Sequence, residues 1–471
     1  MKFKKTLCGF ICLFITLFIS CSRFVSTEPI EKDCEYLKTL LPEASIDFSL
    51  AVDDGLDMDE FLKLVRKTYK IGSAHKFRHS KIDDNGINSV AFANAITWSI
   101  KNYLPRKDGH ISVIADDTGF YPFYRQRFFV SDVFFEKKGD EYFVTQSGEK
   151  GILEGMKYTG DKNNIVQTFS EGKIKYRYIF FSEFLPEDKV NINLNDKNIK
   201  ISVRENELYP RKGKDIWYEE KDDVLTVVVK TFKPRLEKNI EDYEKTVEEI
   251  CSFINNYSTV VFDFRDNNGG FNSYFRPILA TMIFGQLNPN NERFDEKNIR
   301  LDERNLLLGD YLSAGEKELL TKTVSSRAIA DGNMMSNHYL EHKDERYFVS
   351  KEPVEKLDFS NRAFKGKIFV ITNSYTVSAA ESVLASLRYF FPDNVIQVGS
   401  KTAGMLDFGG AFVYILPDSK VRLNLCYVDN TRNPILAPEN GWRGDTEGFY
   451  PDFWFFADTE NDIKKFIKEM K

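Results

Sequence analysis

From about Ile216 onward, β-type runs and helical runs take turns, and nothing else in the chain limits its fold as strongly. "DDVLTVVVKTF", "STVVFDFR", "GKIFVITN" and "NVIQVG" are short β-branched runs bounded by Asp, Asn and Gly. Between them, "NIEDYEKTVEEICSFINNY", "SYFRPILATMIF" and "AAESVLASLRYFF" carry apolar residues at helical spacing. Such alternation predicts an α/β core: a mixed, largely parallel sheet with flanking helices. Sheets of this kind bind ligands beyond the carboxyl ends of their strands. Both "VVFDFRDNNGGF" and "IFVITNSYTVSAAES" place polar residues there, and the charged, less periodic stretch from about 289 to 364 reads as an insertion.

The 471 residues, 42% hydrophobic and 14% aromatic, have room for two or three packed domains. Residues 1–20 join a short cationic start to an apolar run too short to span a bilayer comfortably, the layout of a secretory signal peptide. In "FISCSRFV", Cys21 follows a small residue and resembles the lipidation site of bacterial lipoproteins, with Phe18 where Leu is usual. The protein is therefore expected to be exported and held on a membrane through Cys21, on the periplasmic or cell-surface side. Residues 21–45 read as a tether and 46–118 as an N-terminal helical domain that ends in "RKDGHISVI". Residues 119–215 read as a β-rich module, and 216–471 as the α/β core. A formal charge of −6 disfavours nucleic acid as a partner. Cys34, Cys251 and Cys426 make no disulfide framework.

In "SYTVSAAESVLASL", Ser378 followed three residues later by Glu381 is a capping box. The same free N–H groups of a helix start can bind an oxyanion, so Ser378 can equally be a nucleophile placed there. The stretch alone leaves both readings open.

Three further motifs follow in order: Asp263-Phe264-Arg265-Asp266-Asn267-Asn268-Gly269-Gly270 after a strand, Val398-Gly399-Ser400-Lys401-Thr402-Ala403-Gly404, and Gly448-Phe449-Tyr450-Pro451-Asp452. With Ser378-Ala379-Ala380-Glu381 between the first and second, this series resembles the tail-specific or C-terminal processing serine peptidases. The resemblance implies hydrolysis of peptide bonds in proteins or peptides, with no cofactor and no metal. It assigns Ser378 as nucleophile, Gly269, Gly270 and Ala379 to the oxyanion hole, and Asp263 and Arg265 to supporting roles. It also implies a PDZ-like module in the position of residues 119–215. Better-known members pair the Ser with a Lys directly after V-G-x-x-T-x-G; here that residue is Met405, and Lys401 lies four positions earlier. Asp108-Gly109-His110-Ile111-Ser112 is similar to the D-G-H segment of a tricorn-like branch, which implies His110 as the base and Glu447 behind it. The residue that would bridge them is Gly109, so Ser112 or a water would take that part.

Two other classes remain. One is a non-catalytic protein on the same fold, holding an apolar ligand or a peptide in its cleft. The other is a zinc peptidase using His338, Glu341 and His342 of "NHYLEH", a segment with no long apolar helix around it.

Overall fold

The computed structural model describes residues 26–186, 189–234, 237–285, 319–321, 347–349, 362–431 and 433–471. Cys21, the signal run, the His338–His342 motif and most of the expected insertion lie outside them. The chain divides into two compact units, each gathered from separate stretches.

The first unit takes the described parts of Met1–Phe123, Leu319–Phe348 and Gly410–Asp429. Its helices are Glu31–Ala44, Ile46–Asp53, Met58–Ala74 and Ser89–Tyr103. Asp57 starts the third by accepting from the N–H groups of Asp59 and Glu60, and Asn88 starts the fourth by accepting from Ala91. Their apolar faces, with Phe61, Leu62, Val65, Phe92 and Ile96, bury against Val113, Leu423 and Leu425 of a small sheet. In that sheet Ser112–Ala115 pairs antiparallel with Arg422–Asp429, Ser112 opposite Asn424. One expectation is corrected here. Residues 31–44, assigned to the tether, form a packed helix, because Cys34, Leu37, Leu41 and Ala44 recur at helical spacing among the charges and are all fully buried.

The second unit holds a ten-stranded sheet. Its centre is parallel: Val224–Val229, Thr259–Asp263, Lys367–Thr372, Val395–Gly399, Phe453–Trp454 and Ile165–Ser170 lie side by side. Ile216–Lys221 closes one edge antiparallel, and Lys173–Ser182, Arg127–Lys138 and Glu141–Ser147 continue antiparallel on the other. Thr259–Asp263 is buried at all five positions, as a strand with parallel neighbours and both faces covered must be. Val260, Phe262, Ile368 and Val370 face the helices Glu237–Phe253, Arg276–Phe284 and Ala379–Phe390. Val261, Phe369 and Ile371 face Ile463, Phe466 and Ile467 of the C-terminal helix Asp462–Met470. The mixed, largely parallel sheet with flanking helices is the architecture the alternating pattern implies. The β-rich stretch adds four of its strands to this same sheet. Among the described residues no helix is long and apolar enough to cross a membrane.

Candidate active site

Three loops of the second unit leave the carboxyl ends of adjacent parallel strands, which is where such sheets place ligands. They follow Thr259–Asp263, Lys367–Thr372 and Val395–Gly399. Ser378 ends the second loop as the N-cap of Ala379–Phe390, with φ 55° and ψ −114°. An L-residue held there carries strain on the order of 1–3 kcal/mol, so its surroundings must fix it. The Val377 N–H donates to the Asn267 carbonyl (2.9 Å) and the Ser378 N–H donates to Glu381 Oε2 (2.8 Å). Glu381 thus makes its half of the capping box with the Ser378 N–H.

Glu381 does more than hold Ser378. Its Oε1 accepts from the Gly404 N–H (2.7 Å) and its Oε2 from the Met405 N–H (3.0 Å), joining the Ser378 turn to the third loop. The side chain is fully buried, and burial raises its pKa against these hydrogen bonds, which lower it.

The first loop supplies the opposite wall. Asp263 and Arg265 form a bidentate pair (2.7 and 2.9 Å), 1% and 6% exposed, and Arg265 also donates to the Tyr209 carbonyl and to Glu460. Gly269, at φ +82°, lies so near the nucleophile turn that a Cβ there would stand 2.9 Å from the Val377 carbonyl oxygen and 3.0 Å from Ser378 Cβ. Gly270, at φ +128°, lies against Phe232, whose carbonyl carbon and oxygen would both be 2.4 Å from a Cβ. The oxyanion role assigned to the two glycines divides on their N–H groups. That of Gly269 donates to Asn267 Oδ1 (3.0 Å), a side-chain bond the motif does not disclose, whereas those of Gly270 and Ala379 enter none of these bonds. A cleft of about 710 Å³ opens beside the glycines, lined also by Lys230, Thr231, Lys233 and Asn268.

His110 belongs to the first unit, just ahead of the strand Ser112–Ala115. Its N–H donates to Asp108 Oδ1 (2.8 Å), its carbonyl accepts from Asn424 Nδ2 (2.9 Å), and its Nδ1 stands 3.8 Å from Asp108 Oδ1. Burial lowers its pKa to about 4, so the ring is neutral near pH 7. Asp47 shares this interior, where burial, with the charge of Asp108 adding to it, pushes the carboxyl up to about 8. Arg106 pairs with Asp429 at 3.1 Å.

The sequence model of peptidase family S41 matches residues 223–453. The α/β core belongs to peptidase family S41. No curated protein sequence matches it. Among solved structures, mature CPAF is similar at 13% identity, over 94% of this chain and 96% of that one, with a TM-score of 0.40. The photosystem II D1 C-terminal processing protease is similar at 12% identity, over 94% and 97%, with a TM-score of 0.37. A peptidase of Parabacteroides merdae is similar at 14% identity, over 92% of each chain, with a TM-score of 0.39. As an S41 member the protein is a serine peptidase acting on proteins or peptides.

Three further side chains lie on or against these loops. Lys401 is fully buried and donates from Nζ to the carbonyl oxygens of Thr402 (2.9 Å) and Thr446 (3.4 Å). Burial lowers its pKa to about 8, against the raising charges of Glu381, Glu207 and Glu447. Glu447, partly buried, follows Thr446, whose φ is 72°. Glu207, absent from every motif, is partly buried and accepts from the hydroxyls of Ser374 and Ser400, tying together the second and third loops. It stands in the stretch "VRENELYP", where nothing marks it from the acidic residues around it.

Gly269→Ala tests the close approach. The methyl group must displace the Ser378 turn, and hydrolysis of a quenched fluorescent peptide mixture is expected to fall by about 10²-fold, with far-UV circular dichroism unchanged. Lys401 sets a pH dependence. Between its folded pKa of about 8 and its unfolded value of 10.5, the unfolded chain binds the proton and the folded chain does not, so stability rises with pH across that window. The contribution approaches about 3 kcal/mol at the alkaline end. It should be missing from Lys401→Met when urea titrations at pH 7.5 and 10.5 are compared with those of the unaltered protein.

Proposed function

We propose that the protein is an exported, lipid-anchored serine endopeptidase with Ser378 as nucleophile and His110 as general base. The observation that carries this is the Ser378 turn: a serine held at a strained φ of 55° at a helix start, facing a glycine turn and followed by the Ala379 N–H. Neutral imidazole takes the hydroxyl proton as Ser378 Oγ attacks the scissile carbonyl carbon. Gly270 and Ala379 donate to the oxyanion that forms, their N–H groups already oriented by the turn and the helix start. The protonated His110 then gives its proton to the leaving amine, and water, activated by the same ring, hydrolyses the acyl-enzyme. Glu447 steadies the charged imidazole.

Ser378→Ala and His110→Ala are each expected to lower hydrolysis of the fluorescent peptides by at least about 10³-fold, with the double variant no worse, because the two act as one unit. Blocking both peptide termini should leave cleavage by the unaltered protein intact. Lys401, with its depressed pKa, is the one rival base. Activity surviving His110→Ala but lost in folded Lys401→Met would transfer the role to it.

The anchor rests on the signal run and Cys21. Cys21→Ala is expected to move the protein from the membrane fraction to the soluble one or to leave its signal uncut. Unchanged detergent partitioning with an unchanged mature N-terminus would remove the lipid from this reading.

A further inference from the structure

The register of the first unit's sheet brings together a set of side chains that the sequence keeps far apart. Ser112 lies opposite Asn424; continued past the strand end, the same antiparallel pairing sets His110 level with Cys426. Cys426 Sγ lies 3.6 Å from Asp108 Oδ1, across 318 positions of sequence, and His110 Nδ1 lies 3.8 Å from that same oxygen. One donor atom from each of Asp108, His110 and Cys426 falls within 4.8 Å of the other two. Asp108 and Cys426 are fully buried.

We propose that Asp108, His110 and Cys426 are the protein ligands of a zinc ion. Zinc takes thiolate, imidazole and carboxylate together, and its bond lengths of about 2.0–2.3 Å place tetrahedral ligand atoms roughly 3.3–3.8 Å apart. Two of the spacings, 3.6 and 3.8 Å, already meet that range, and the third lies within 4.8 Å. Three protein ligands leave a fourth position for water, as in zinc sites that are not purely structural. The ligands are set by a paired strand and the turn that enters it, a frame rigid enough to hold their geometry.

The interior around the cluster calls for a cation independently of the ligand set. Asp47 is 1% exposed, and neither of its carboxylate oxygens has a hydrogen-bond partner among the described residues. The charged groups that act on it are Asp108, Arg106 and Asp429, and Arg106 is already paired with Asp429. Buried carboxyl groups therefore outnumber cations there, and a metal ion among them would offset the cost of ionising them.

Zinc on His110 would occupy the ring that the proposed mechanism needs as a base, so zinc should repress hydrolysis; this consequence, unlike the site itself, rests on His110 being that base. The experiment uses the full chain, stripped of metal and titrated with Co²⁺ and then Zn²⁺. One equivalent of Co²⁺ is expected to bring up a near-ultraviolet thiolate-to-cobalt absorption band, which Zn²⁺ removes. Cys426→Ser and Cys426→Ala should both lack the band while keeping the far-UV circular dichroism and the metal-free hydrolysis rate. Hydrolysis by the unaltered protein should fall at least tenfold in one equivalent of Zn²⁺, and that of the Cys426 variants should not. Absence of the band, or a band unchanged in both Cys426 variants, overturns the site. A Cys426-dependent band with hydrolysis untouched by Zn²⁺ upholds the site and removes His110 from the base role instead.

Discussion

A single buried carboxylate organises the catalytic end of the sheet. Glu381 accepts backbone N–H bonds from Ser378, Gly404 and Met405, residues on two different loops, and is itself fully closed from water. A charge in such a place is tolerated only when its lone pairs are met, and here they are met by main-chain donors that have few other uses. The helix start adds a favourable field for the negative charge. Because the donors are backbone groups, the bonds fix the path of the chain as well as the position of side chains. The unusual dihedral angles of Ser378 follow from that: the turn is pinned from Asn267 on one side and Glu381 on the other.

The bond to Met405 also explains how that position can lack a lysine without the loop losing its shape. Its N–H supplies the contact the loop needs, whatever the side chain. Lys401, the other basic residue of the loop, is turned to the carbonyl oxygens of Thr402 and Thr446, where it ties the loop to the segment carrying Glu447. Its ammonium has an architectural task in this arrangement.

Much of this was legible beforehand, and for a definite reason. Buried parallel strands such as "TVVFD" and helices such as "AAESVLASLRYF" declare themselves by local pattern, since each needs apolar residues at a fixed period. The carboxyl-end loops could be named because their polar residues interrupt those patterns abruptly. What stayed hidden depends on partners distant in sequence. Nothing in "IVQTFS" tells that Thr168 will lie beside Trp454 in the same sheet as the catalytic loops. Nothing in the glycine pair tells that Asn267 will claim the N–H of Gly269 and not that of Gly270. Glu207 is invisible for the same reason, as is the nearness of Cys426 to Asp108. The helix at 31–44 is a different failure: its apolar stripe is regular, but the charged residues between the stripe positions lower its average hydropathy to that of a linker.

The pairing of Ser112–Ala115 with Arg422–Asp429 has a consequence in time as well as in space. The strand that fixes the neighbourhood of His110 leaves the ribosome long after His110 itself. A growing chain can complete its early helices, whose contacts are local, before it can close this sheet. The loop entropy of so distant a pairing is met only when the intervening chain is present. A sheet built this way settles the neighbourhood of His110 only after the early helices have formed.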